Sequence, residues 1–550
     1  MFLFVLKISF LLTVASVTGK YVESDDELPE LEWPKKYTFE ATKVSLTSAL
    51  VENIKHWRST TKSRTDYNDG AVKKIFLKAK KRSKKLPFGV KYEIHPETSE
   101  NNENELFCVR TKGIRSDLVT PENILPDLSN YDFEYVGTDY VDMGEVEKFA
   151  YEEEGSKKYL WAYLDRKNGS WIPVRVEELG YNEWLENLNE HVVLDIINFE
   201  TQFDYSVFSV KKYDCTDADT DEEETNIDES ILDSENDDDV EVAFNKFKKE
   251  YNRHYATEDE HNMRMNIFQN NMRKVQEHNS KKSSFKLTLN KFSDRTRAEK
   301  RKSKGLIRRK AGEKGTHPFP YDKKKVTELA DSLPSEFDLR LLGYISPVRD
   351  QEGCGSCWTF GTTSAVEGAL ARSNGGRLLR LANQALVDCA WGFGGSGCEG
   401  GSDTAAYHWM LKYGLPTEEE YGPYKNSDGF CSIDNMTTLY PIKGFTNVTP
   451  FSVEALKIAV VNHGPLSVSI DVGSTELLHS YNGGIFYDPG CKPKSLDHEV
   501  TLVGYGEVDG DSYWIVKNSW GRDWGIDGYF HISTRDHACG LTTEPTYVVM

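Results

Sequence analysis

The residues best suited to covalent chemistry lie in one stretch, Gln351-Glu-Gly-Cys-Gly-Ser-Cys357-Trp-Thr-Phe360. Its two cysteines are three residues apart, and its glycines allow the backbone to turn tightly. The residues that begin with Cys357 are typical of a helix. We therefore expect Cys357 at a helix N-terminus, where free N–H groups and the helix dipole favour the thiolate over the thiol. A thiolate is a nucleophile, a metal ligand or half of a disulfide, and this stretch alone leaves all three open.

Residues farther along the chain supply the other groups that a cysteine peptidase requires. Such an enzyme needs an imidazole, a group that orients it, and donors for the oxyanion. His498 stands at the start of a predicted strand, and Asn518, just after another, offers a side-chain oxygen to His498. Trp520 would shield that hydrogen bond from water. Gln351 can donate its amide to the oxyanion together with the backbone N–H of Cys357.

The segment that must position these residues runs from 333 to 550. Its first half is predicted to be helical, with Gly- and Cys-rich loops. Strand-like runs follow at 466–471, 499–505, 512–518 and 528–532. A helical half followed by a β half predicts an α+β domain of two lobes, with a cleft between them.

Residues 242–332 precede this domain and are predicted to begin with two helices. Phe244, Phe247, Tyr251 and Tyr255 recur at three- and four-residue spacing, which places them on one face of a helix. The basic stretch 295–325 has little apolar periodicity, so we predict an exposed linker that is open to proteolytic processing.

Two further regions lie nearer the N-terminus. Residues 20–213 alternate apolar and polar side chains and predict a separate antiparallel β domain without a catalytic constellation. Residues 214–241 contain no Lys or Arg and many acidic residues, which predicts a disordered linker. A metal site is the alternative for this acidic run, although the spacing of a calcium loop is missing.

The composition and net charge of the whole chain limit the class of protein. A net charge of -21 argues against a nucleic-acid partner. Residues 1–19 are predicted to be a signal peptide, a buried helix being the alternative, and no later apolar run is long enough to span a membrane. Three glycosylation sequons, at Asn168, Asn435 and Asn447, fit a secreted route. The nine cysteines are an odd number, so at least one thiol is left over.

The motifs together resemble those of the papain/cathepsin L family of cysteine peptidases. They are Gln351 with Cys354-Gly-Ser-Cys357-Trp358, Asp497-His498, and Asn518-Ser-Trp-Gly521. The resemblance implies a papain-like endopeptidase without a metal or cofactor, acting on peptide and protein substrates. Cys357, His498, Asn518 and Gln351 would be the catalytic residues.

The preceding segment resembles the inhibitory propeptide of the same family. The helical signature is matched by Glu260, Arg264, Phe268, Asn271, Val275 and Asn279, and the later motif by Asn290, Phe292 and Asp294. Val275 stands where Ile is usual, and Thr288 where Gly is usual. Residues 242–332 would then be an inhibitor and processing linker, and residues 333–550 the peptidase.

The resemblance also implies three disulfides, Cys354–Cys398, Cys389–Cys431 and Cys491–Cys539. Cys108 and Cys215, the two cysteines outside these motifs, could pair with each other, which would leave Cys357 as the extra thiol. A redox pair or a zinc site at Cys354 and Cys357 would need a thioredoxin-like context or a second cysteine pair, and neither is present.

Substrate-binding positions carry over by the same resemblance. Glu544, five residues after Cys539, would lie at the floor of the S2 pocket. The remaining positions are Gly400, Gly401, Ser402, Asp403, Ser469, Asp497, Glu499 and Trp520. We hypothesise an S2 pocket that accepts Arg or Lys as well as apolar side chains. In the alternative, Glu544 and Glu499 point to solvent.

A β-rich extension ahead of propeptide and peptidase resembles the insect haemocyte cathepsin-like proteinases that are processed into two chains. This resemblance implies cleavage in or after the acidic linker and again near Lys325, with the N-terminal fragment kept as a partner chain. The competing class is a secreted, non-catalytic binding protein on a peptidase scaffold.

Overall fold

A computed structural model describes residues 28–47, 50–79, 87–101, 103–114, 118–128, 131–141, 144–153, 156–166, 169–182, 187–218, 237–255, 258–310 and 312–550. The predicted signal peptide, Asn168 and the middle of the acidic linker (219–236) lie outside these residues.

The N-terminal region forms a sheet of twelve strands within its described residues. The strands are β1 (Tyr37–Ser45), β2 (Leu50–Ser59), β3 (Lys62–Tyr67), β4 (Val72–Leu77), β5 (Val90–Thr98), β6 (Asn104–Lys112), β7 (Glu134–Val141), β8 (Gly144–Glu153), β9 (Ser156–Asp165), β10 (Ser170–Asn182), β11 (Asn187–Glu200) and β12 (Cys215–Asp217). The spatial order is β12-β6-β5-β4-β3-β2-β1-β11-β10-β9-β8-β7, antiparallel throughout except for the parallel pair β12–β6. The predicted antiparallel β domain is confirmed.

Both predicted ends of the acidic linker are wrong. β12 extends the sheet beyond residue 214 because a disulfide joins Cys215 to Cys108 on β6. In addition, Asp217 is neutralised by Arg110 at 2.6 Å and by Lys112 at 3.2 Å. At the other end, a helix begins at Asp237, before residue 242.

The middle segment, residues 237–332, contains α1 (Asp237–Glu250), α2 (Glu258–Ser280), β13 (Phe285–Leu287), α3 (Arg297–Lys302) and α4 (Lys323–Ala330). The predicted aromatic face is buried: Phe244 and Phe247 pack against Phe268 of α2. β13 pairs with a strand of the C-terminal domain, so this segment is attached to that domain by a sheet edge as well as by side chains.

The C-terminal domain has the predicted α+β two-lobe architecture. Its helices are α5 (Cys357–Ser373), α6 (Asn383–Cys389), α7 (Asp403–Tyr413), α8 (Glu418–Tyr421) and α9 (Val453–Asn462). Its strands are β14 (Phe337–Asp338), β15 (Gly444–Asn447), β16 (Leu466–Ile470), β17 (Tyr481–Phe486), β18 (His498–Val508), β19 (Asp511–Lys517), β20 (Tyr529–Ser533) and β21 (Thr546–Val549). One hydrophobic core surrounds α6 and α7, and a second fills the β lobe.

Helix α5 lies where the lobes meet and is buried along almost its whole length. Its small residues permit this close packing. A Cβ atom on Gly361 would come within 2.9 Å of Glu499 and 3.3 Å of the Val500 backbone on β18. The close approach of α5 to β18 places the first residue of the helix, Cys357, beside the first residues of the strand, His498 and Glu499.

Disulfides in this domain join Cys354 to Cys398, Cys389 to Cys431, and Cys491 to Cys539. With Cys108–Cys215 they use eight of the nine cysteines, and Cys357 is the free thiol. None of the described helices combines the length and apolar character needed to cross a membrane.

Candidate active site

Cys357 is fully buried at the first position of α5, as the sequence predicts for a helix N-terminus. The backbone N–H of Glu499 donates to its Sγ atom at 3.4 Å. Because His498 directly precedes Glu499 in the chain, this contact places the thiol next to His498. The site therefore joins the start of the central helix of one lobe to the start of a central strand of the other.

His498 is held from two directions. Asn518 Oδ1 lies 2.8 Å from His498 Nε2 and also accepts from the Ser519 N–H at 2.9 Å. Since this oxygen only accepts, Nε2 carries a proton, and Nδ1 is left for the thiol. Among the described residues Nδ1 has no hydrogen-bond partner. Trp520 stacks on the imidazole at 4.8 Å between ring centroids and covers it.

Burial shifts the pKa values of both Cys357 and His498 toward their neutral forms. Burial raises the pKa of Cys357 well above its usual range, and Asp497 acts in the same direction against the opposing N–H donor of Glu499. The pKa of His498 is lowered to about 3, mainly by burial and to a smaller extent by the ammonium of Lys304, while the hydrogen bond to Asn518 opposes the change. Burial therefore opposes the thiolate that the helix N-terminus favours.

Gln351 is oriented to present an amide donor. Its Oε1 accepts from Ser519 Oγ at 2.7 Å, which turns Nε2 toward the cleft. Nε2 donates to the carbonyl oxygens of Cys354 at 3.0 Å and of Lys304 at 2.9 Å. A peptide carbonyl of the middle segment thus occupies a donor that could stabilise an oxyanion.

The middle segment passes through the cleft, which corrects the prediction of an exposed linker over 295–325. Trp520 donates to the Ser303 carbonyl at 2.7 Å, Lys304 forms an ion pair with Asp497, and the Leu306 N–H donates to the Asp497 carbonyl at 3.2 Å. The chain then forms a parallel bridge with Gly401. The stretch lacks apolar periodicity because its contacts are made by backbone atoms and by the charged ends of its side chains, and not by a hydrophobic face.

One glycine permits this passage. Gly305 has φ +127°, and a Cβ atom there would lie 1.9 Å from the Gly355 carbonyl oxygen. The neighbouring Gly400 has φ +126°, and a Cβ atom there would come within 2.8 Å of the Gly305 carbonyl. At this point the two backbones touch directly, with no room for a side chain.

An acidic pocket receives the two arginines that follow. Glu544 forms ion pairs with Arg308 and, at 3.5 Å, with Arg309. Arg309 also donates to the Glu544 carbonyl oxygen at 2.6 Å, and its side chain is only 8% exposed. Neither Glu544 nor Glu499 points to solvent in this form, since the Glu544 side chain is 17% exposed and the residue Glu499 is 1% exposed.

The inner wall of this pocket carries two buried carboxyl groups, Asp403 and Glu499. Burial raises the pKa of Asp403, while Arg309 opposes the rise. Burial and the Asp403 carboxylate raise the pKa of Glu499 well above its usual range, which favours its protonated form. Ser467 donates to Glu499, and the buried Ser469 pairs with it in the β16–β18 register. Glu544 is the carboxylate that forms an ion pair with Arg309.

The two sequons within the described residues lie in different surroundings. Asn435 is exposed. The Asn447 side chain donates to the Glu313 carbonyl at 2.9 Å and contacts Arg309 at 3.4 Å, so the middle segment covers it. Sequence reasoning gave no role to Ser519, Lys304 and Gly305. Ser519 stands inside the Asn518–Gly521 motif and Gly305 is a glycine inside a basic run, whereas Lys304 carries no signal of its own.

Comparison with known proteins decides the family. The papain family cysteine protease model matches residues 333–549, and the cathepsin propeptide inhibitor domain (I29) model matches residues 244–299. Digestive cysteine proteinase 2 of Homarus americanus is 37% identical over 312 residues, which are 56% of this chain and 94% of that protein. The chain belongs to the papain family of cysteine proteases. Cathepsin L2 of Homo sapiens is 36% identical over 56% of this chain and 93% of its own length.

Solved papain-family structures agree with this assignment. The digestive procathepsin L 3 of the Tenebrio molitor larval midgut superposes with a TM-score of 0.51 at 33% identity, covering 56% of this chain and 99% of that chain. The chain is thus a cysteine endopeptidase with its propeptide in place. Among the described residues, no group of three or more His, Cys, Asp or Glu side chains is placed to hold a metal ion.

Proposed function

We propose that Cys357 attacks the substrate carbonyl carbon while His498 accepts the thiol proton. His498 then protonates the leaving amine as the C–N bond breaks, which leaves a thioester on Cys357. Water, deprotonated by His498, hydrolyses the thioester and restores the thiol. Asn518 orients the imidazole, Trp520 shields their bond, and Gln351 Nε2 with the Cys357 N–H stabilises the oxyanion.

The observation that carries this proposal is the occupant of the cleft. The Lys304 carbonyl accepts from Gln351, while its side chain lies on Asp497 beside His498. A peptide chain therefore already occupies the positions that a substrate would need, while the thiol and the imidazole are buried. Removal of this segment would expose both groups to water and allow their charged forms.

We propose that the protein enters the secretory route and acts outside the cell or in lysosomes. The inhibitor and its linker (242–332) would be excised, and the N-terminal β domain would remain as a second chain. The contacts that support retention are polar and buried. Thr98 Oγ1 donates to the Asp388 carbonyl at 2.7 Å, and Asn68 Nδ2 lies 2.6 Å from Ser427 Oγ. The role is protein degradation or defence.

The S2 pocket would accept arginine because Glu544 faces it. Glu544→Ala is expected to lower kcat/KM about 10- to 100-fold for substrates with Arg at P2, since a charge-assisted pair is worth about 1.5–3 kcal/mol. Substrates with Phe at P2 should change less than threefold. The assay uses acid-activated enzyme and two fluorogenic dipeptides that differ only at P2. Equal losses for both would contradict the assignment, while Glu454→Gln, an exposed carboxyl on α9, is the control.

Acid should weaken the propeptide through Glu476. Burial alone would raise the pKa of this group, but Lys274, Lys300 and Arg297 of the propeptide lower it from 4.5 to about 2. A lowered pKa in the bound state means that these ion pairs stabilise the zymogen fully above pH 4.5 and lose their effect as the pH falls toward 2.

Glu476→Gln removes this contribution at every pH. We expect activation at pH 6 to be about three- to tenfold faster, because partly exposed ion pairs contribute about 0.2–1 kcal/mol each. The dependence of activation on pH between 5 and 3 should become shallower. The measurement is the rate of appearance of peptidase activity as a function of pH. Identical profiles for the variant and the parent would rule out this role of Glu476.

A further inference from the structure

The N-terminal β domain contacts the catalytic domain next to the active-site loop, without help from the propeptide. Besides the Asn68 and Thr98 contacts, the Cys431 N–H donates to Asn104 at 3.0 Å, and His95 stacks on Trp391 at 5.9 Å between ring centroids. None of these contacts involves a residue of 242–332.

A different part of the same domain holds the propeptide. Glu153 on β8 forms an ion pair with Lys249 of α1, and Asn252 of the propeptide donates to Glu178 on β10. The buried Lys158 bridges Glu178 at 3.2 Å and His254 at 3.1 Å. Excision of the propeptide therefore removes the basic partner of Glu153 and a hydrogen-bond donor to Glu178.

A cavity of about 570 Å³ lies where the β domain, the propeptide and the catalytic domain meet. On the β-domain side its lining includes four carboxylates (Glu52, Glu122, Asp127 and Glu178) against two lysines (Lys43 and Lys74), so this wall is acidic. The propeptide closes the cavity with Asn252, His254, Tyr255 and Glu260. Removal of these four residues opens it on the side that the propeptide covers.

The catalytic domain contributes an unused acceptor to the same cavity. Asn426 lines it, and Asn426 Oδ1 is buried with no hydrogen-bond partner among the described residues. Asn426 also lies beside Gly353, two residues after Gln351. The opened cavity would thus offer carboxylates and an amide oxygen, which suit N–H donors and positive charge, close to the catalytic loop.

We infer that, in the processed enzyme, the β-domain surface of Glu153, Glu178 and this cavity is a docking site for a basic segment of a protein substrate. The propeptide occupies this surface in the zymogen with Lys249 and Asn252, and substrate would replace it. The β domain would then select among protein substrates at a distance from the cleft. This inference depends on the proposed retention of the N-terminal fragment.

The test uses processed enzyme whose active sites have been titrated. Size-exclusion chromatography first establishes that both chains co-elute; separation would overturn the proposed two-chain enzyme and with it this site. Three fluorogenic peptides then share one cleavage sequence. The first is short, the second is extended on the leaving-group side by a Lys/Arg-rich segment, and the third by a Gly/Ser segment of equal length.

We expect the basic extension to raise kcat/KM at least fivefold over the Gly/Ser extension, and 0.5 M salt to remove the gain. The double variant Glu153→Gln/Glu178→Gln should lose the gain and keep its activity on the short peptide. If the double variant does not fold, Glu153→Gln alone replaces it in the test. This single variant should lose part of the gain. Glu145→Gln, an exposed carboxyl on the same strand β8, should retain it. Co-eluting chains with no gain, or a gain that survives Glu153→Gln undiminished, would overturn the docking site alone.

Discussion

Replacing Cys357 with serine is expected to lower kcat about 10⁵- to 10⁶-fold, because removal of the nucleophile of a catalytic triad has an effect of this size. The hydroxyl fits the space of the thiol, so the fold should be retained. It is a much weaker nucleophile, however, and no thioester can form. The measurement is peptide hydrolysis after processing by an added protease, since the variant should not process itself.

The control for this substitution is the unfolding temperature of the zymogen, which should stay within a few degrees of the parent. If the variant unfolds at the same temperature as the parent and hydrolyses substrate at a rate within tenfold of the parent's, Cys357 is not the nucleophile. The competing interpretation of the sequence, a non-catalytic binding protein, is inconsistent with the family assignment and would regain support from that result.

Replacing Gly305 with alanine is expected to release the propeptide from the cleft. The added methyl group would stand 1.9 Å from the Gly355 carbonyl oxygen, at φ +127°. Backbone strain and overpacking cost about 1–3 kcal/mol each, so closure of the zymogen should weaken about 10²-fold or more. The readout is the initial rate at which a small thiol-directed inhibitor inactivates the unprocessed zymogen at neutral pH.

Gly312→Ala provides a matched control in the same segment. Gly312 also has positive φ, +82°, but a Cβ atom there would meet no atom within 4 Å. Its variant should change the inactivation rate less than tenfold, since it carries backbone strain without a clash. Equal effects of the two substitutions would mean that contact with Gly355 does not hold the zymogen closed.

Much of this architecture could be predicted because several local signals agree with one another. The apolar–polar alternation before residue 213 predicts the antiparallel sheet, and the spacing of Phe244 and Phe247 predicts the buried face of α1. The run of small residues after Cys357 predicts a helix, and the structure explains their size by contact with β18.

The rest depends on contacts between segments that are far apart in the sequence. The basic stretch after residue 295 has no apolar periodicity, so its charges suggest solvent. It is held instead by the hydrogen bond from Gln351 to the Lys304 carbonyl and by the ion pair between Arg309 and Glu544. The raised pKa of Cys357 likewise depends on its burial in the folded zymogen. Neither a helix dipole nor a residue pattern reports that burial.

The most direct test of the central claim is the reactivity of one thiol before and after processing. The intact zymogen and the acid-processed enzyme are treated with an epoxysuccinyl thiol-protease inhibitor, and the modified peptide is identified by mass spectrometry. We expect stoichiometric modification of Cys357 in the processed enzyme, little in the zymogen, and none in Cys357→Ser. Absence of label from the processed enzyme, or label on Cys357→Ser, would contradict the account.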